Sequence, residues 1–341
     1  VIPTIYCPIG PAVHPASRLV DDQVTGWVSR SGLCSEPGQL DRLAGTKAGM
    51  LTGQILPNAP QDRLAVVTRF FAWLFVFDDA HYDEVDTLPD AARLAAVAGR
   101  LVRVLEAPDG AAVAGTPFER SLHDIKEQLA LIASPTQIDR WATALRAYLF
   151  SLVWKAANRR TGIVPSLDDY TCMRIHGGAV MTTVVLLDIA DGYQVPDKEF
   201  STTALRALME MTSLLVSWDN DLLSRQKEQR TADRQNLVDV LAAERGHSIT
   251  EALDAALRVR DQVLIRFLDL RDRVMPTASK ETRRFLHSMA QWIRANLDWS
   301  TQTERYHLNP SMASAMITAL PTTPRGRPPI PSIAWWWADD T

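Results

Sequence analysis

The sequence predicts an all-α protein folded as a single domain, and three observations carry that expectation. From Ala16 to about residue 303, apolar residues recur at helical spacing with few interruptions. No stretch offers β-branched strands separated by turn pairs. The connections between helical stretches are short, which favours one domain over two in a chain of 341 residues.

Taken in order, residues 1–16 carry Pro3, Pro8, Pro11 and Pro15, cannot sustain a helix, and read as an extended arm lying on the body. The body, residues 17–306, is predicted as helices over 17–31, 38–49, 61–79, 90–106, 117–133, 136–160, 166–190, 199–228, 234–245, 248–273 and 277–303. Asp90, Ser134 ahead of Pro135, Ser166 and Thr277 are the expected starts, since short oxygen-bearing side chains satisfy the free N–H groups of a first turn. Residues 307–341 form a separate tail, in which Pro310, Pro321, Pro324, Pro328, Pro329 and Pro331 argue against regular structure. A disordered segment seldom keeps three tryptophans, so Trp335, Trp336 and Trp337 predict docking. Either the body near a cavity mouth or a second copy of the chain, as in a homodimer, would serve as the dock.

Composition excludes several classes. Hydrophobic content of 46% supplies a sizeable core, and a net charge of −4 without a basic, aromatic-rich patch gives no reason to expect nucleic acid. Cys7, Cys34 and Cys172 are odd in number and lack Cys-x-x-Cys spacing, so they read as free thiols in the cytoplasm. The longest apolar run, Phe70 to Phe77, is too short to span a bilayer, and no signal peptide is expected.

Two acidic stretches carry the chemistry. In the first, Phe70 to Phe77 is apolar on every side and delivers Asp78 and Asp79 at a helix C-terminus, with Asp83 a turn further. Carboxylates there face the negative end of the helix macrodipole, so cations from elsewhere are expected to balance them. Below Asp78 on the same face lie Phe75, Leu74 and Phe71, which makes a face acidic at the rim and apolar beneath. In the second stretch, Asn220, Ser224 and Glu228 stand at i, i+4 and i+8, stacked about 6 Å apart along one helix face. Amide, hydroxyl and carboxylate oxygens suit Mg²⁺ and suit zinc or copper poorly. Asp219 and Asp221 add charge to what is otherwise a core helix.

Together these stretches resemble the metal-binding motifs of the bacterial class I terpene cyclases. Asp78-Asp79-x-x-x-Asp83 is similar to the family's aspartate-rich motif, and Asn220-Asp221-x-x-Ser224-x-x-Lys227-Glu228 to its Asn/Ser/Glu triad. Arg305-Tyr306 resembles the family's diphosphate-binding Arg-Tyr pair. Arg174 stands where the family places its diphosphate sensor, ahead of a helix break at Gly177-Gly178. Gly177 occupies a position where the family often has an acidic or polar linker residue. The resemblance runs from about Trp27 to Tyr306 and leaves the tail uncovered.

The resemblance implies a barrel of roughly antiparallel helices around an apolar cavity. It implies three Mg²⁺ ions held by Asp78, Asp79, Asp83, Asn220, Ser224 and Glu228, and a prenyl diphosphate bound by Arg174, Lys227, Arg305 and Tyr306. Gly178 would serve as the break. Phe71, Phe75 and Trp299 would form the wall facing a carbocation, Trp299 lying six residues before Arg305 on one helix, with Trp154 the more ordinary core aromatic. Those bulky rings favour farnesyl over geranylgeranyl diphosphate. Chain-elongating prenyltransferases would carry a second aspartate-rich motif in place of the triad. A lipid-binding scaffold would leave two acidic clusters unexplained.

Overall fold

The computed structural model describes residues 4–83, 90–108, 115–228, 233–306, 316–317, 319, 321 and 326–340. Within Tyr82, Asp83, Gln226, Lys227, Glu228, Tyr306, Met316, Ile317, Asp339 and Asp340 only the backbone is described; their side chains lie outside the described set. Helices dominate, in the order α1 (Ser17–Ser31), α2 (Gln39–Thr46), α3 (Ala48–Ile55), α4 (Gln61–Asp78), α5 (Ala91–Glu106), α6 (Pro117–Ala130), α7 (Pro135–Thr161), α8 (Leu167–Gly177), α9 (Val180–Val184), α10 (Leu187–Ala190), α11 (Asp197–Phe200), α12 (Thr203–Glu228), α13 (Leu237–Arg245), α14 (Ile249–Val274) and α15 (Lys280–Ser300). The all-α barrel expected from the sequence is the fold found.

Local chemistry explains most boundaries. Thr116, Ser134 and Ser248 each close a reciprocal capping box with Glu119, Gln137 and Glu251. Asp90 and Ser166 cap α5 and α8 as predicted. Ser279, not Thr277, caps the last long helix, which starts at Lys280 because Thr277 still belongs to the turn closing α14. The predicted 38–49 helix is two, broken at Lys47 (φ 57°), and the second extends to Ile55. That extension is nearly all buried because Gly49 lies against α1. A Cβ there would meet Asp21 N at 2.6 Å, so only glycine allows the contact. The predicted 166–190 helix is three short ones, and α12 is preceded by the separate turn α11. Leu167–Ala190 is long and apolar enough to cross a membrane by composition, yet it is bent in three and mostly buried in the protein.

The core is aromatic where α4 meets α6 and α7. Trp73 stacks on Phe77 at 4.8 Å, while Phe70 meets Trp141 edge-on at 5.2 Å. Trp154 is half-buried against this core and does not line the cavity.

The arm and the tail both depart from irregularity. Ile5–Tyr6 (β1) pairs in parallel with Met316–Ile317 (β2), so the expectation of no regular structure after residue 307 is corrected. The prolines leave room for this pair because none falls in β2 itself, and Pro331–Asp340 forms a 3₁₀ helix. That helix docks on the body. Trp336 is buried, its indole N–H donates to Glu210 on α12, and Arg266 on α14 donates to its carbonyl. Ser332 N–H donates to Asp168 at the start of α8. The dock is on the flank, not at the cavity mouth: Glu210 precedes Asn220 by ten residues, about 15 Å along α12.

Candidate active site

One cavity, open at its mouth, is lined from α3, α4, α7, α8, α9, α12 and α15. Leu51, Phe71, Leu74, Phe75, Trp292 and Trp299 form its apolar part. Asp78 enters from α4, and Asn220 and Ser224 enter from α12. Arg174 on α8 and Arg305 on the short turn Glu304–Tyr306 bring cations to the same space. The sequence therefore names residues that the fold gathers from five separate elements.

The α12 side is built from buried charge. Asp219, on the far side of that helix, receives two hydrogen bonds from Arg260 at 2.8 and 3.0 Å, and both side chains are fully buried. Arg260 also donates to the Tyr6 carbonyl, which ties the arm to α12 through α14. Burial opposes the guanidinium charge, but the Asp219 carboxylate outweighs it and holds Arg260 above its ordinary pKa. Asp221 accepts from Arg174 Nη2 at 2.6 Å, from the Tyr170 hydroxyl, and from Leu237 N at 3.0 Å. Burial pushes its carboxyl up, and Arg174 pulls it back. Arg174 reaches Asn220 Oδ1 as well, at 3.3 Å.

The break behind Arg174 is real and has a steric cause. α8 ends at Gly177, and Ala179 takes a left-handed conformation (φ 59°), a strained choice for alanine that costs roughly 1–2 kcal/mol. A Cβ on Gly178 would meet Ser217 Oγ at 2.3 Å, so α8 approaches α12 through this residue. At Gly177 the nearest atom would be Ser151 Cβ at 3.6 Å, an ordinary contact.

The α4 side is held at its rim. α4 runs into a π-helical turn, Asp79–Asp83, in place of a capped end. Asp78 accepts from the Tyr148 hydroxyl at 3.3 Å. Asp79, expected among the metal ligands, engages Arg305 with both carboxylate oxygens, at 2.6 and 2.8 Å, and is not part of the cavity lining. The cation that the macrodipole argument demanded is thus Arg305, which also stands 5.3 Å from the Phe75 ring centroid. Arg305 and Trp299 do not share a helix, because α15 stops at Ser300. Both still reach the cavity, and Trp299 stacks on Phe75 at 5.6 Å while its indole N–H donates to Thr46 O at 2.6 Å.

Sequence reasoning missed several lining residues. Tyr148, Lys155 and Arg159 face the cavity from α7 at i, i+7 and i+11. Lys155 pairs with Asp233 at 3.6 Å, and Asn158 donates to Gln235, so α7 holds the segment entering α13. Trp292 and Asn296 precede Trp299 by seven and three residues, one face of α15, and that periodicity was the available signal.

The donor set can be tested against a metal. Among the described residues, the cavity's oxygen donors on the two facing helices are carboxylate, amide and hydroxyl, and no histidine or cysteine lines it. Such hard oxygens fit Mg²⁺ and do not fit a soft metal.

Known proteins are similar to this chain over nearly its whole length. Residues 69–266 match the family described as terpene synthase family 2, C-terminal metal binding. Bonnadiene synthase from Allokutzneria albata is 38% identical, with 98% of this chain and 97% of that protein covered. The (+)-T-muurolol synthase from Streptomyces clavuligerus is 37% identical, covering 97% of this chain and 81% of its own. The crystal structure of the SVS_A2 protein, from ancestral sequence reconstruction, superposes with a TM-score of 0.85 at 35% identity, covering 99% of both chains. The chain belongs to the bacterial class I terpene cyclases. It is a terpene synthase, a lyase of isoprenoid biosynthesis.

Proposed function

We propose that the chain ionises a linear prenyl diphosphate, farnesyl diphosphate first, and cyclises the resulting carbocation with release of diphosphate. The observation that carries this reading is that Asp78 from α4 and Asn220 and Ser224 from α12 line one cavity together with a set of aromatic rings. Farnesyl diphosphate is the substrate named for the T-muurolol synthase from Streptomyces clavuligerus.

Asp78, Asn220 and Ser224, with Glu228 and Asp83 from the motifs, would hold the Mg²⁺ ions, three by family resemblance. When bound, such ions neutralise charge on a departing diphosphate. Asp79 is better assigned to holding Arg305, because both of its oxygens are engaged there. Arg174 and Arg305 bind and orient the diphosphate, with Lys227 and Tyr306 completing the donor set. The allylic C–O bond then breaks with both electrons leaving on the diphosphate oxygen. Phe71, Phe75, Trp292 and Trp299 keep water from the cation and offer it π faces that stabilise charge without attacking it. Release of a proton from the cyclised cation ends the reaction. We place the enzyme in the cytoplasm, where Cys7, Cys34 and Cys172 stay thiols.

The test offers C10, C15 and C20 diphosphates separately with Mg²⁺ and reads hydrocarbons by gas chromatography beside diphosphate release. Isopentenyl diphosphate is left out, so chain elongation cannot occur. A cyclic product with stoichiometric diphosphate is expected, greatest with C15 and abolished by EDTA. Turnover that persists in EDTA, or that needs isopentenyl diphosphate, overturns the reading.

A further inference from the structure

Trp292 presents its ring to the cavity, yet it is not steered by its own helix. Its side chain is almost fully buried, and its indole N–H donates to Thr183 Oγ1 at 2.9 Å. Thr183 is equally buried, lines the same cavity, and donates its own hydroxyl proton to Val180 O at 2.7 Å. A hydroxyl has one proton, so only its lone pairs are left for the indole, and an indole N–H can only donate. The bond therefore has one direction and one partner atom on each side. It fixes the Trp292 ring at 38° to Phe71, with centroids 5.9 Å apart.

Thr183 belongs to α9, the five-residue helix that opens directly after the left-handed Ala179. The orientation of an aromatic wall residue on α15 is thus set from the helix break at Gly178 and Ala179. A ring is attractive to a cation over its face and repulsive at its edge. Whichever way the ring is turned decides which region of the cavity favours positive charge.

We infer that Thr183 is a positioning residue for product selection, whose hydroxyl fixes the face of Trp292 that meets the carbocation. This rests on the prenyl diphosphate cyclase reading proposed above. Thr183→Val keeps the shape and removes the acceptor, leaving the indole N–H buried without its partner. Thr183→Ser keeps the acceptor.

The experiment measures diphosphate release and product distribution for the parent enzyme, T183V, T183S and W292F. T183V is expected to change the ratio of the two most abundant products by roughly threefold to tenfold, the effect of losing one neutral buried hydrogen bond. T183S retains the parent ratio, and W292F shifts the mixture in the same direction as T183V. A parent mixture from T183V, or a T183S mixture as altered as that of T183V, overturns the inference. Should T183V fail to fold, ¹⁵N-tryptophan spectra of the parent chain decide, with the Trp292 indole signal located by its loss in W292F. Slow solvent exchange of that proton is expected, and exchange as fast as that of an exposed indole overturns the inference. A parent enzyme that releases no diphosphate from any prenyl substrate overturns the cyclase reading itself, and this inference with it.

Discussion

Two helices that line the cavity, α4 and α12, both carry acidic residues, but they hold them in opposite ways. On α12, Asp219 and Asp221 are fully buried and each is matched by an arginine from another helix, Arg260 from α14 and Arg174 from α8. Further bonds pin the same helix: Ser213 donates to Ile175 O, Asn296 donates to Val216 O, and Asn236 donates to Asp221 O. On α4, the acidic end unwinds into a π turn, where Asp78 accepts a 3.3 Å bond from Tyr148 and Asp79, 23% exposed, pairs with the mostly buried Arg305. Buried pairs cannot be traded for water, whereas rim pairs can be traded for an incoming anion. The carboxylates on α12 are therefore the more firmly held of the two sets.

The comparison breaks most visibly in stability. Arg260→Met leaves Asp219 as an uncompensated buried charge and should cost about 3–5 kcal/mol. Asp79→Asn, where the carboxylate keeps 23% of its side chain exposed, should cost less, about 1–2 kcal/mol. Urea unfolding midpoints measure both, and equal losses would erase the distinction between the walls. Next in size, Asn220→Ala should lower diphosphate release on the order of 100-fold while moving the midpoint little, because the side chain faces the cavity and not the core. Arg305→Gln should lower release by about tenfold and make the remaining activity less sensitive to added salt, as expected for a charge at a mouth.

The smallest effect concerns pH. His176, on α8 behind the α12 wall, has its pKa lowered below the ordinary value, chiefly by burial. A histidine of that kind takes up a proton more readily in the unfolded chain, so the unfolded state binds more protons as pH falls below about 6.5. Stability from this group is present above that pH and is lost below it. His176→Gln should flatten the fall in unfolding free energy between about pH 6.5 and 5, by less than about 1 kcal/mol. An unchanged acid limb would show that the group contributes nothing there.

What the sequence made legible follows from periodicity. Helix starts at Asp90, Ser134 and Ser166 were readable because a cap is a local bond between neighbours in the chain. Asn220 and Ser224 were readable for the same reason, one helix face being fixed by spacing alone. The break at Gly177-Gly178 was readable through the resemblance, but the left-handed Lys47 and Ala179 were not, since neither residue favours that conformation. Tyr148 and Lys155 escaped notice because facing Asp78 and Asp233 is a property of how α7 lies across other elements. The partner of Asp79 also escaped: Arg305 was assigned to diphosphate by resemblance, and only the tertiary arrangement brings it to the carboxylate.

The pairing of Ile5–Tyr6 with Met316–Ile317 bears on the order in which the protein can be completed. Ile5 and Cys7 are fully buried, and the Tyr6 carbonyl accepts from Arg260, so these first residues are core and not decoration. Yet their strand partner is synthesised some 310 residues later. At roughly 5–20 residues per second, the arm waits on the order of 15–60 s on the ribosome before that partner exists. Its apolar face must be sheltered through that interval, and closing it waits until β2 has been made.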